Sequence, residues 1–218
     1  RRVLGDEHHD TLTSMNNLAV LLKDQDKLSE AESLFRRTLE TRRRILGNEH
    51  PKTLTSMNNM ASLLQARGKL PEAEILLGEA LAGRRKTLPA GHPAIANSLV
   101  LLGTVLLEKE EPQSAEPVLR ECLEIRRRAL PEGHWLVANT ESILGGGLTA
   151  LGRYVEAEPL LLESYPVVKA ARGETHERTL QALQRIVDLY EAWGRPAKAA
   201  EYRVLLPEPA PSEEPPGP

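Results

Sequence analysis

Residues 46–88 read LGNEHPKTLTSMNNMASLLQARGKLPEAEILLGEALAGRRKTL, and a shift of 42 positions in either direction lands on a recognisable copy of the same pattern. His8, His50, His92, His134 and His176 mark the period, each 42 residues from the next. A period in this range signals stacked helical hairpins, in which no unit has a core of its own and each buries its apolar face on its neighbours. The fold class that follows is all-α, and the broad class of function is binding.

Each repeat divides into two helices. His-Pro at 50–51 and 92–93 puts proline at the first helical position, where its missing amide costs nothing. In TLTSMNNLAVLL (11–22), Leu12, Met15, Leu18, Ala19 and Leu22 recur at spacings of three and four, one face of a helix. This first helix is expected over 10–24, 52–66, 94–108, 136–150 and 178–193, within ten helices and no strand. The turn that ends it carries Asp26, Gly68, Glu110, Gly152 and Gly194, a set rich in the residue that a left-handed turn prefers. The second helix starts near Leu28 with acidic residues and ends in arginines, which suits the helix dipole at both ends. Its fourth residue is Ala31, Ala73, Ala115, Ala157 or Ala199, and seven further on stand Thr38, Ala80, Cys122 and Ser164. Side chains this small let axes approach to roughly 8–10 Å, while Leu18, Met60, Leu102, Leu144 and Ile186 fill the space between them.

The small residue midway along the first helix, the early alanine of the second, and Gly-Lys or Gly-Arg at the turn resemble the tetratricopeptide repeat (TPR). The 42-residue period and the pattern LGxxHPxTLxSxNNLAxLLxxxGKxxEAExLL are similar to the long variant typified by kinesin light chains. The resemblance implies a right-handed superhelical solenoid of about five helix-turn-helix units, at 10–50, 51–92, 93–134, 135–176 and 177–207, with residues 1–9 matching the end of a preceding repeat. The last unit, LYEAWGRPAKAAEYRVLL (189–206), resembles the repeats found C-terminal to bacterial serine/threonine kinase domains, although no kinase motif is present.

Composition narrows the function classes. The chain is 40% apolar but only 3% aromatic, so its core is leucine and alanine, and a net charge of −3 offers no electrostatic case for nucleic acid. A single cysteine excludes an internal disulfide, and Cys122, at a position that is alanine in another repeat, reads as a packing thiol. No membrane span or signal peptide is visible, and a cytoplasmic location is expected. Residues 208–218, with their prolines and glutamates, read as a disordered tail.

Candidates for chemistry yield to blander readings. Histidines one repeat apart lie roughly 10 Å or more from each other, too far to share an ion whose ligands sit about 2 Å away. Only Glu7, His8 and His9 are close enough to chelate together, and a turn histidine bonding near the helix start accounts for them better. No metal or other cofactor is expected. The runs Arg42–Arg44, Arg84–Lys86 and Arg126–Arg128 align as either a basic ridge for an acidic partner or solvated helix ends. Glu30 with Glu32, Glu72 with Glu74 and Glu156 with Glu158 recur with the repeat, which points to a role at the helix start rather than to acid–base catalysis. Gly145–Gly147 lies in mid-helix at roughly 1 kcal/mol per exposed glycine, so the first helix of repeat four should be the weakest. Pro166, deep in the second helix of that repeat, predicts a kink or break near Leu162–Pro166.

What remains is the inner face lined by the first helices. The resemblance implies that it presents Thr13, Asn16, Val20 and Lys23; Thr55, Asn58, Ser62 and Gln65; Asn97, Val100, Thr104 and Leu107; Asn139, Ser142, Gly146 and Thr149; and Gln181, Gln184, Asp188 and Glu191. Amides and hydroxyls both donate and accept, which suits the backbone of an extended peptide. The expected site is Thr13, Asn16, Lys23, Thr55, Asn58, Ser62, Asn97, Val100, Leu107 and Asn139, with a ligand's acidic part toward Lys23 and away from Asp188 and Glu191. Asparagines bonding between adjacent helices are the alternative, more so for Asn17 and Asn59 than for Asn16 and Asn58. The partner is a protein or peptide, not nucleic acid or membrane; the protein is not an enzyme; self-association through the solenoid ends is the rival reading.

Overall fold

The computed structural model describes residue 5 and residues 7–207, so the tail at 208–218 and residues 1–4 and 6 of the preceding repeat lie outside the described residues. Among the described residues there are ten helices and no strand: α1 (His9–Asp24), α2 (Leu28–Leu46), α3 (Pro51–Ala66), α4 (Leu70–Thr87), α5 (Pro93–Glu108), α6 (Pro112–Ala129), α7 (Trp135–Ala150), α8 (Tyr154–Arg172), α9 (Glu177–Ala192) and α10 (Pro196–Arg203). The first helices begin one residue before the expected position. The chain divides into two compact units, Arg1–Glu132 and Gly133–Pro218. In the first, α1 to α6 stack as three hairpins; in the second, α7 packs on α8 and α9, and α9 on α8 and α10.

The histidines set where each first helix starts. His8, His50, His92, His134 and His176 are its N-caps, and in each the Nδ1 atom accepts a hydrogen bond from the backbone N–H two residues on, at 3.1–3.2 Å. This satisfies one of the four amides that a helix start leaves without a partner. The other end closes equally regularly. The residue at the turn has φ of 60° to 73° in every repeat, including Asp26 and Glu110, where no glycine relieves the strain. The next N–H then reaches back five residues, as Lys27 to Leu22 and Lys69 to Leu64, the Schellman arrangement.

Packing inside the first four hairpins follows one rule: a large side chain of the second helix meets a small residue of the first. Phe35 and Leu77 share a buried cluster with Ala19 and Ala61. At the next two repeats the small residue is glycine. A Cβ built on Gly103 would lie 2.5 Å from Leu119 Cδ2, and one built on Gly145 2.7 Å from Leu161 Cγ. Gly145 is therefore a seat for Leu161, and α7 runs unbroken through all three glycines.

The expectation of a break near Pro166 is corrected. Helix α8 continues from Tyr154 to Arg172 through both Pro159 and Pro166. Each proline removes one N–H, while Ala157, Leu161, Ser164 and Val168 are buried along the whole face, so packing on both sides of Pro166 holds the helix in register. Cys122 is buried, with Sγ donating to the Ala96 carbonyl at 3.3 Å. The paired carboxylates also do more than start helices: Glu32 reaches Arg67, and Glu74 reaches Lys109 at 2.7 Å, tying each second helix to the turn of the following repeat.

The caps generate a prediction. His92→Ala should cost about 1 kcal/mol in urea denaturation, whereas His92→Asn, which keeps an acceptor at the cap, should stay within a few tenths of wild type. Equal losses from both would show that the imidazole acts by packing and not as a cap.

Candidate functional site

The face of the first unit formed by its first helices, α1, α3 and α5, has two layers. The lower one is organised by arginines. Arg42, from the end of α2, donates from Nη1 to Ser56 Oγ at 2.8 Å and to the Lys52 carbonyl at 3.3 Å, and from Nη2 to Thr13 Oγ1 at 3.3 Å. Arg84, one repeat on, donates to Ser98 Oγ, which itself donates to Asn58 Oδ1 at 3.1 Å. Arg42, Arg84 and Arg126 are only 4%, 6% and 5% exposed. Burial lowers the pKa of Arg42 and Arg84, yet a guanidinium stays charged at neutral pH, so these are buried cations that hydroxyls and carbonyls must satisfy.

The arginine runs are therefore neither a uniform ridge nor a uniform solvated end. Their first members belong to the interior, and the outer ones pair with carboxylates: Arg43 with Glu79 and Arg44 with Glu7 at 2.6 Å, Lys86 with Glu49 at 2.6 Å, and Arg85 with Glu121. The sequence carried a signal for the interior role, since Ser56 and Ser98 each follow the buried arginine by 14 residues.

Asparagines complete this layer. Asn59 Nδ2 donates to Asn16 Oδ1 at 3.1 Å, joining α3 to α1. Asn16 and Asn58 are 8% and 6% exposed, already bonded between repeats, while Asn17 is exposed. The structure thus assigns the inter-helix bonding to Asn16, Asn58 and Asn59, whereas the sequence favoured Asn17 and Asn59. Above it lie the open positions. Thr55 and Asn97 are exposed, and Thr13, Val20, Lys23, Ser62, Gln65, Val100, Thr104 and Leu107 are half-buried. Lys23 Nζ donates to Ser62 Oγ at 3.2 Å and Gln65 Nε2 to Glu108 Oε1 at 2.7 Å, so neighbouring repeats are bridged here too.

The second unit repeats this register with different chemistry. Arg185 of α9 stands where Asn59 stands in repeat two, and its Nη1 donates to Ser142 Oγ at 3.2 Å, replacing the amide bridge. Gly146 makes room for it: a Cβ there would lie 3.1 Å from Arg185 Cδ. Burial pulls the Arg185 guanidinium down to about 10, with the Asp188 charge opposing. Asn139 is 4% exposed, and its Nδ2 has no hydrogen-bond partner. At the expected acidic end Glu191 pairs with Arg203, while Asp188 accepts from Gln184 at 2.7 Å and keeps a charge that acts on Arg185. The opposition between Lys23 and a free acidic end is corrected for Glu191 alone.

No group of three His, Cys, Asp or Glu side chains among the described residues could hold a metal ion. Glu7 is engaged by Arg44, and His9 by Asp10 at 2.9 Å. No helix among the described residues is long and apolar enough to cross a membrane.

Family models described as tetratricopeptide repeat match residues 11–52, and residues 60–128 and 136–202. The chain belongs to the tetratricopeptide repeat family. Among solved structures, this TPR protein is similar to a kinesin light chain-like protein of Podosopora anserina with nearly identical TPR-like repeats, at 27% identity and a TM-score of 0.73 over 91% of this chain and 94% of that one. BtubC (BKLC) from P. vanneervenii shares the fold at 20% identity and a TM-score of 0.69, over 94% and 86% of the two chains. A Rap protein complexed with competence and sporulation factor shares it at 16% identity and 0.67, over 86% of this chain and 53% of that one. No curated protein matches the chain significantly. The fold is that of protein–protein interaction modules.

The two layers make separable predictions. Asn58→Ala removes a buried acceptor beneath Ser98 and Arg84 and should lower stability by about 1–3 kcal/mol, whereas Asn97→Ala, on the exposed layer, should change it by less than about 0.5 kcal/mol. Urea denaturation of the two variants checks this; an Asn58→Ala protein as stable as wild type would remove the inter-repeat bond from the account.

Proposed function

We propose that the face of the first unit formed by α1, α3 and α5 binds an extended, internal segment of a partner protein, without catalysis. The observation that carries this reading is the two-layer arrangement: most of the polar groups that hold the repeats together are satisfied underneath, leaving Thr55 and Asn97 exposed, with Thr13, Ser62 and Lys23, which also bond between helices, half-buried at the surface beside Val20, Val100 and Leu107. Hydroxyls and amides of this kind serve both the N–H and the C=O of a peptide, and the apolar trio offers places for its side chains near repeat three. Asn16 and Asn58 act below, setting the spacing of the face; Asn139, in the second unit, is not part of it. The protein works as a cytoplasmic scaffolding or regulatory part of a larger bacterial signalling protein, such as a serine/threonine kinase, on the likeness of its last repeat.

A second reading has its own observation. Leu18 and Leu21 on α1 are 49% and 58% exposed, while their counterparts Met60, Leu63, Val105 and Leu189 are buried. An apolar flank of that kind favours pairing with another copy.

Peptides selected from a random library against the full chain distinguish these ideas. If the face is the site, the Thr55→Arg/Asn97→Arg double variant weakens the selected peptides at least tenfold, about 1.4 kcal/mol, with its thermal midpoint unchanged. Undiminished binding sinks the peptide reading. Sedimentation showing a dimer that Leu18→Glu/Leu21→Glu dissociates would establish self-association instead.

A further inference from the structure

The second unit contains six arginines, and they fall into two sets. Arg153, Arg195 and Arg203 have carboxylates within ion-pair distance, in Glu156, Glu158 and Glu191. Arg172, Arg178 and Arg185 are not in any carboxylate ion pair among the described residues, and these three are grouped. The guanidinium carbons of Arg172 and Arg178 lie 4.9 and 5.8 Å from the centre of the Trp135 ring, so both lean on one indole. Arg178 and Arg185 are two turns apart on α9, and the charge of Arg178 works against that of Arg185. Arg185 reaches across to Ser142 at 3.2 Å. On the same face of α7, between Trp135 and Ser142, sits Asn139 with its buried, unpartnered Nδ2.

Nearby groups compensate the cluster only in part: the Asp188 charge acts on Arg185, but forms no ion pair with it. Arg172 approaches His176 Nε2 at 2.8 Å. However, His176 Nδ1 accepts from the Arg178 amide at 3.1 Å, so a neutral ring carries its proton on Nε2 and offers Arg172 no acceptor. Asp188 is held by Gln184 at 2.7 Å, Glu177 by Gln181 at 2.8 Å, and Glu174 by Lys169. Arg172 and Arg178, open to solvent, are left short of anionic acceptors and the buried Asn139 Nδ2 has none, while the more deeply set Arg185 keeps Ser142 and the nearby Asp188 charge.

We infer that this cluster binds a phosphorylated side chain carried on a segment of a partner protein. A phosphoryl group brings close to two negative charges and three strong acceptor oxygens, and it takes guanidiniums in bidentate pairs. A single carboxylate would leave most of the positive charge uncompensated. Trp135 gives the flanking residue of the ligand an apolar wall, and entry past the exposed Arg172 and Arg178 leads to Arg185. The inference rests on the proposed reading of the protein as a binder of partner segments, but the site is in the other unit and takes a different chemistry.

Trp135 is also the reporter. The chain has two tryptophans, so the full chain carrying Trp193→Phe emits from Trp135 alone. Inorganic phosphate, and a pentapeptide carrying one phosphoserine, should each change that emission saturably. The same peptide with serine or glutamate should bind at least tenfold more weakly. Arg172→Gln/Arg178→Gln should weaken the phosphopeptide at least tenfold with an unchanged thermal midpoint, and Thr55→Arg/Asn97→Arg should leave the signal intact. Failure of the first unit's face is thereby distinguished from failure here. The proposal is overturned if sodium chloride at matched ionic strength reproduces the change, if the glutamate peptide binds as tightly as the phosphopeptide, or if vesicles containing a phosphoinositide bind while the phosphopeptide does not.

Discussion

The contact on which the rest of the structure depends is the seating of one large side chain from the second helix of each of the first four repeats on one small residue of the first helix. Phe35 and Leu77 do this with Ala19 and Ala61 in their cluster, and Leu119 and Leu161 with Gly103 and Gly145. All four large side chains are essentially inaccessible to water, and burial of each contributes on the order of 1.5–3 kcal/mol. Close approach in the hairpin also fixes where the next hairpin docks. Alanine and glycine at these positions are thus geometric choices, not indifferent helix formers.

Polar chemistry follows from that spacing. Buried Arg42 and Arg84 span from the second helix of one repeat to the first helix of the next, and each finds a serine 14 residues on. Breaking such a buried charged contact from one side is expensive because the remaining group stays desolvated. The arginines therefore lock register more than they add net stability. The stacking bond itself also varies between repeats, as the change from Asn59 to Arg185 at one register position illustrates.

Much of this was legible in the sequence, and the reasons differ by feature. The 42-residue recurrence located all ten helices, because capping histidines and left-handed turns are local and repeat with the fold. Cys122 was legible for the same reason: its position is shared with alanine. Pro166 misled because local propensity counts one lost hydrogen bond and a clash, but not the buried face of α8 on either side of it. Gly145 and Gly146 misled in the same way, since their worth lies in Leu161 and Arg185, which are distant in sequence. The buried arginines were hidden among exposed ones in a charged run, and only the offset to serine separated them. Which groove asparagines were free could not be read at all, because it depends on whether Asn59 points to Asn16 across the repeat boundary.

The seating contact has a direct test in its sign. In an exposed helix, replacing glycine by alanine stabilises by about 1 kcal/mol. At Gly145 the added methyl meets Leu161 Cγ at 2.7 Å, and overpacking of that kind costs about 1–3 kcal/mol. Urea denaturation of Gly145→Ala and Gly103→Ala should therefore find both less stable than wild type. If both are instead more stable by about 1 kcal/mol, as helix propensity alone requires, the small residues are not seats for the second helix and the interlock is not what holds the hairpins together.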